Sequence, residues 1–401
     1  MANKTIWNEM GLRQNPFQVT PEKDAKNLIW AGLKVIKSKF DELIINSLTS
    51  DNSRVVLNMS RWGGGKTHTA FYYSNSNHFP DIDFKYTQPL HIFIVTPKEA
   101  NTAVNEFYTK IVESIGITRI AETIKAMRCH YKKEGKEDSV LRIFQDWCGS
   151  EDIGKILYLL GHVQVNEKED ISFEASNFFF NEKPGAALKR KLKVRRGIES
   201  THDKFVVIST LFKILSNFDE SGKLEPKRRI FLWLDEIEAF IYYSTKHMTV
   251  FSQALRELID MTPSFLNLIM NFSYADTESI STLDFLIGAA LKSRITEKEI
   301  NFDELGIDEA LEYVRELLGH FRTGDFSKAN PYFPFDEKAL RLLFENLVNK
   351  LKEPLMPRTI NNWCRRVIEI STAEKYFNEK GLIDRGFIAQ LDFFNEAMKP
   401  F

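Results

Sequence analysis

The chain has 401 residues, 43% of them hydrophobic and 27% charged, which is enough for two or three domains and excludes a disordered, collagenous or disulfide-stapled protein. Lys plus Arg (54) nearly balances Asp plus Glu (55), so the formal net charge is −1 and no global field selects nucleic acid or an anionic membrane. Three cysteines, Cys129, Cys148 and Cys364, make no Cys-x-x-Cys pair, which fits a reducing compartment and argues against structural zinc. Apolar runs such as Ile230–Leu234 and Phe265–Met270 fall far below the ~18 residues that span a bilayer. The first 30 residues carry charged side chains and no apolar signal core, so the sequence predicts a cytoplasmic protein without a membrane partner.

Residues 1–50 open with the turn-rich Asn15-Pro16-Phe17 and Pro21, and apolar residues then recur at helical spacing over Lys34–Leu48. Arg54–Met59 reads as a short buried strand, stopped by Gly63-Gly64-Gly65 and followed by a helix over Thr67–Ser74. His91–Val95 makes a second apolar strand, and Glu99–Ile115 a helix with Val104, Phe107, Ile111 and Val112 on one side. From about 117 to 200 the regularity weakens. Helical pieces (Ile120–Tyr131, Ser139–Cys148, Ile153–Leu160) give way to a Phe-rich polar stretch and the basic run Lys189–Arg196, and the segment reads as an insertion. Phe205–Leu215 is helical, Ile230–Leu234 is a strand closed by Asp235-Glu236, and a helix (Val250–Met261), a strand (Phe265–Phe272), a helix (Thr282–Leu291) and an extended piece (Glu299–Phe302) follow. Beyond Leu305 the pattern is helical only: Ile307–Phe321, Asp336–Leu351, Arg358–Tyr376 and Arg385–Ala397. This order predicts a parallel α/β body followed by a helical tail.

Ser60-Arg61-Trp62-Gly63-Gly64-Gly65-Lys66-Thr67 matches the phosphate-binding pattern G-x-x-x-x-G-K-[ST] except at the first position, where Ser replaces Gly. Glycines let backbone N–H groups turn toward phosphate oxygens, Lys66 reaches terminal phosphates, and Thr67 offers a hydroxyl to Mg²⁺. The loop lies between a strand and a helix, so the helix N-terminus adds its dipole, and His68 is counted with Gly63, Gly64, Gly65, Lys66 and Thr67 among the nucleotide-contacting residues. A triphosphate site also needs an acidic element, and Ile230–Glu236 supplies one: Asp235 on the metal side and Glu236 as the base orienting water, with Glu238 as a weaker substitute.

Together these motifs resemble the AAA+ ATPase family. The resemblance implies a three-layer α/β/α phosphate-loop body with a parallel sheet, a mainly helical insertion and an all-helical C-terminal lid. The implied domains are a preface (1–50) lining the nucleotide site, an α/β domain (51–304, insertion about 117–200) and the lid (305–401). Asn271, or alternatively Ser273, matches the polar γ-phosphate sensor at the end of the next strand. Ser293-Arg294 matches the arginine that reaches a neighbouring subunit's nucleotide, although helix ends favour cations anyway. Pro357-Arg358-Thr359 matches the lid position whose arginine approaches the nucleotide in cis, while Arg365 and Arg366 read as surface charges. Met10–Pro21 is similar to the preface found in the branch of origin-recognition initiators, DNA-transposition regulators and secretion-type ATPases. By that likeness Pro16, Phe17 and Trp30 contact the base, the alternative being a hydrophobic N-terminal clasp. The winged-helix DNA reader that follows the lid in origin initiators is not seen.

Lys189–Arg196 places six cations in eight residues without aromatic interleaving, which suits contacts to a DNA backbone rather than to bases, or a solvated loop, or an acidic protein partner. Two functions stay open. One is an ATP-hydrolysing, homo-oligomeric, DNA-associated assembly factor with Arg294 acting in trans. The other is a nucleotide-controlled switch or partner-recruiting ATPase, of mobile-element or antiviral defence type, that uses the insertion as a protein-docking arm.

Overall fold

Runs of apolar residues too short for helices build the sheet. In the computed structural model, β1 (Arg54–Arg61), β2 (Leu90–Val95), β3 (Ile230–Asp235), β4 (Leu266–Tyr274) and β5 (Ile300–Phe302) form one five-stranded sheet in the order β2-β3-β4-β1-β5. The structure describes residues 5–21, 24, 26–79, 88–161, 171–180, 184–218, 228–274, 287–288, 291–297, 299–324 and 330–393. β2 pairs parallel with β3 and β3 with β4, in a register that sets Leu90 beside Ile230 and Ile230 beside Leu266. Parallel neighbours need long crossovers, and helices supply them. β3 is buried at every residue, as a strand covered on both faces must be. The parallel α/β body with a helical C-terminal part expected from the AAA+ resemblance is therefore the observed fold.

The chain divides into two compact units. One comprises Leu43–Asn58 and Pro80–Glu299. Its helices are α4 (Ala103–Ile115), α5 (Ile117–Lys133), α6 (Glu137–Cys148), α7 (Glu151–Leu160), α8 (Ile171–Phe180), α9 (Ala186–Leu192), α10 (Thr201–Asn217) and α11 (Thr245–Met261). Three buried rings tie α4, α10 and α11 together: Phe107 stacks on Phe205 at 5.7 Å and meets Phe251 edge-on at 5.3 Å. The Phe-rich stretch is helical because Phe178 and Phe179 are buried. α6 and α7 approach so closely that a Cβ at Gly154 would lie 2.6 Å from the Gln145 backbone nitrogen. The predicted helix Thr282–Leu291 lies almost wholly outside the described residues.

The other unit comprises Met1–Glu42, Met59–Phe79 and Ile300–Phe401. It holds α1 (Ile6–Glu9), the start of α2 (Lys34–Thr49), the end of β1, α3 (Lys66–Tyr73), β5, and the C-terminal helices α12 (Ile307–Phe321), α13 (Glu337–Asn346), α14 (Pro357–Ala373), α15 (Tyr376–Lys380) and α16 (Arg385–Gln390). The preface is joined to these helices by backbone bonds, Arg13 N to Phe321 O and Thr323 N to Gly11 O, both 2.9 Å. Phe17, fully buried, meets Phe335 edge-on at 6.3 Å within the helical core. The predicted helix Asp336–Leu351 is α-helical only to Asn346; a π turn follows, and Lys352 at φ +56° turns the chain toward Glu353-Pro354.

Candidate functional site

In the unit carrying the phosphate loop, backbone conformation does most of the shaping. Gly63 and Gly65 take φ +83° and +103°, a region closed to most L-residues, and Gly65 is the N-cap of α3. A Cβ at Gly65 would meet nothing within 4 Å, so the loop opens there onto space that a phosphate could use, at a helix N-terminus. Lys66, only 6% exposed, donates from Nζ to Ser60 Oγ at 2.5 Å. Gly63 is held from the other side by α14: Arg358 N donates to Gly63 O at 3.2 Å, and a Cβ on Gly63 would sit 2.5 Å from Arg358 Cβ. The expected lid arginine thus belongs to a residue whose backbone grips the loop. Arg61 Nε also pairs with Glu304 Oε1 at 3.3 Å.

The aromatic surroundings of α3 lie in the same unit. His68 Nε2 donates to Ile29 O at 2.8 Å, and burial keeps its imidazole below the usual pKa against that hydrogen bond. Trp30, half-buried, packs against Phe40, Tyr72 and Tyr73, while Pro16 and Phe17 are buried.

In the unit carrying Asp235, buried side chains do the positioning. Asn271 Nδ2 donates to Asp235 Oδ1 at 3.0 Å, and Asn58 Nδ2 donates to Asn271 Oδ1 at 2.9 Å. All three are nearly or fully buried. A carboxylate only accepts, so Asp235 dictates which way the Asn271 amide faces, and Asn271 in turn orients Asn58. Thr96 donates from N and Oγ1 to the Asp235 carbonyl, at 2.8 and 2.7 Å. Glu236 stands at φ +56°, turned out of the strand, with its half-exposed carboxylate 3.6 Å from Lys98 Nζ. Glu238 instead accepts from Ser273 N at 3.0 Å, so the weaker candidate base is tied to backbone. Arg294 forms a two-pronged bond to Asp260 within its own chain, at 2.7 and 3.1 Å.

Reasoning from sequence missed Asn58, Thr96 and Lys98. Asn58 had a signal: it separates the apolar Val55-Val56-Leu57 from Met59, and a polar residue inside a buried strand needs a partner. Lys98 had none. Among the described residues no group of three or more His, Cys, Asp or Glu side chains could hold a metal, and no helix is long and apolar enough to cross a membrane.

The basic run is folded. α9 carries Lys189–Leu192, Lys193 caps it at φ +53°, and the backbone N–H groups of Arg195 and Arg196 both donate to Asp152 Oδ2 at 3.1 Å. Leu192 and Val194 anchor it by burial. Lys189 pairs with Glu199, Lys191 with Glu174 and Arg196 with Asp203. Arg190, Lys193 and Arg195 have no carboxylate partner among the described residues and are exposed.

No protein-family model matches the chain, and no curated protein matches it. Among solved structures it is similar to ORC1 of Aeropyrum pernix in complex with DNA, at 11% identity and a TM-score of 0.48, over 94% of this chain and 68% of that one. It is also similar to the ADP form of ORC2 from Aeropyrum pernix, at 9% identity and a TM-score of 0.47, over 95% and 72% of the two chains. For Drosophila ORC bound to DNA the identity is 9% and the TM-score 0.45, over 97% and 65%.

Proposed function

We propose that this chain is an AAA+ ATPase that binds ATP with Mg²⁺ and hydrolyses it between subunits of a homo-oligomer, acting as a DNA-associated assembly or remodelling factor. The observation that carries the reading is the loop Gly63–Thr67: two glycines at positive φ, open space at Gly65, a buried lysine and the N-terminus of α3. Lys66 and the loop amides are assigned to the phosphates, and Pro16, Phe17, Trp30 and His68 to the wall of the base pocket, Phe17 through its packing. Thr67 and Asp235 are assigned to Mg²⁺, which when bound neutralises phosphate charge. Asn271 is assigned to hold Asp235 and sense the γ-phosphate, Glu236 to orient the attacking water, Arg358 to approach the nucleotide in cis and Arg294 in trans.

Arg190, Lys193 and Arg195 support a backbone contact to DNA. The pairing of Lys189, Lys191 and Arg196 within the chain favours a second reading, a nucleotide-controlled switch whose insertion docks a protein. The two separate on salt-dependent binding of duplex DNA, with and without ATP, by the wild type and by the triple alanine variant at 190, 193 and 195. Weaker binding and a flatter salt slope in the variant support DNA; identical curves support the docking arm. ATP binding itself is tested by titration calorimetry, and no detectable ATP binding by the wild type would sink both.

A further inference from the structure

Ser60 stands where the phosphate-loop pattern has its first glycine, and it is fully buried at the end of β1. Its single hydroxyl proton goes to the Arg61 carbonyl, 2.6 Å away, so toward Lys66 the oxygen offers lone pairs only. Lys66 Nζ donates to that oxygen at 2.5 Å and faces the Ser60 carbonyl at 3.4 Å. A glycine at 60 would keep the carbonyl and lose the hydroxyl acceptor. Bonds from an ionised donor are roughly twice as strong as neutral ones, and burial keeps water from replacing this one. The hydroxyl also shapes the loop: a Cβ on Gly64 would lie 2.4 Å from Ser60 Oγ and 2.7 Å from Ser60 Cβ.

We propose that Ser60 is a latch on Lys66, its hydroxyl competing with the terminal phosphates of ATP for the lysine ammonium and so setting the nucleotide affinity of the loop. The idea rests on the reading of the loop as an ATP site and adds to it a positioning residue that acts through Lys66. Phosphate oxygens must draw the ammonium off Ser60 Oγ, and that exchange subtracts from the free energy of binding. Removing the hydroxyl removes the competitor. The same side chain makes glycine obligatory at 64.

The affinity of AMP-PNP with Mg²⁺ is measured by titration calorimetry for the full chain, Ser60→Ala and Ser60→Gly. Both variants are expected to bind about tenfold tighter, the equivalent of about 1.4 kcal/mol. Unchanged or weaker binding by both overturns the latch. Gly64→Ala is expected to bind poorly alone and to recover in the Ser60→Gly background, where the nearest remaining neighbour of its Cβ is the flexible end of Met356, 3.1 Å away; no recovery counts against it. Additive effects of Ser60→Ala and Lys66→Ala on urea unfolding would mean that Ser60 does not bond Lys66 in solution and would overturn the latch, which requires them to be coupled. Wild-type protein that binds no AMP-PNP removes the ATP-site reading and the latch with it. Wild-type binding with no gain in the variants removes the latch alone.

Discussion

The unit carrying the phosphate loop and the unit carrying Asp235 reach functional geometry by different physical means. In the first, Gly63 and Gly65 adopt backbone conformations that other residues resist, and Arg358 fixes the loop through its main-chain N–H. In the second, a buried relay runs from Asn58 through Asn271 to Asp235, each amide oriented by the acceptor beyond it. A backbone-built element fails when a side chain is added; a side-chain relay fails when one is removed. The first kind leaves a spaced pattern in the sequence, and the second leaves scattered polar residues in apolar strands.

The largest effect expected is on the loop. Lys66→Ala should raise the dissociation constant for ATP by about a hundredfold or more, because the buried cation proposed to meet the phosphates is lost. Calorimetry giving wild-type affinity would break the assignment of the loop unit as the binding element. Glu236→Gln should separate the units: ATP affinity stays within about threefold while phosphate release slows by about a hundredfold or more. Equal release rates would remove Glu236 as the base. Arg294→Ala should slow turnover by about tenfold or more in the assembled state, with ATP affinity little changed. Wild-type turnover per chain that does not rise with protein concentration would count against a role in trans.

Smaller effects probe the relay itself. Asn271→Ala removes the buried amide that bridges Asn58 and Asp235 and should cost about 1–3 kcal/mol in urea unfolding. Asn58→Ala should cost about 1 kcal/mol and lower turnover without changing ATP affinity. If both asparagines prove neutral in stability and rate, the contrast between the units collapses.

The smallest expected effect is pH-dependent. Asp203 closes a capping box with Ser200 at the start of α10. Burial opposes its charge, yet the Ser200 amide and hydroxyl and the Arg196 guanidinium outweigh this and hold its pKa below the usual 3.8. The folded value lies below the unfolded one, so the contribution is complete above about pH 4 and fades as pH falls through the folded value. Asp203→Ala should therefore cost about 1 kcal/mol at pH 7 and progressively less below pH 4, read from urea midpoints at each pH. A deficit that does not shrink in acid would remove the carboxylate's role.

Much of this was legible in the chain. Ile307–Phe321 has the predicted bounds, because its apolar residues recur at helical spacing and Gly306 precedes it. β3 was marked by five apolar residues ending in Asp-Glu. The ordered basic run was not foreseen, because its order comes from Asp152, Glu174, Glu199 and Asp203, distant in sequence or outside the run. Nor was the commitment of Glu238 to Ser273, since adjacent acidic residues look alike until the backbone after β3 turns one outward at positive φ.

Sequence by itself determined the residue types and local spacings: three glycines before Lys66-Thr67, an apolar strand closed by carboxylates, a helical tail. Such patterns suffice where the governing interactions are local, as in helix periodicity and the dihedral freedom of glycine. Only the tertiary structure decided that Ser60 accepts the Lys66 ammonium, that Asn58 orients Asn271, and that the preface joins the C-terminal helices. Those are contacts whose partners are chosen by burial, where an unpaired polar group costs free energy and its partner is found in space rather than in sequence.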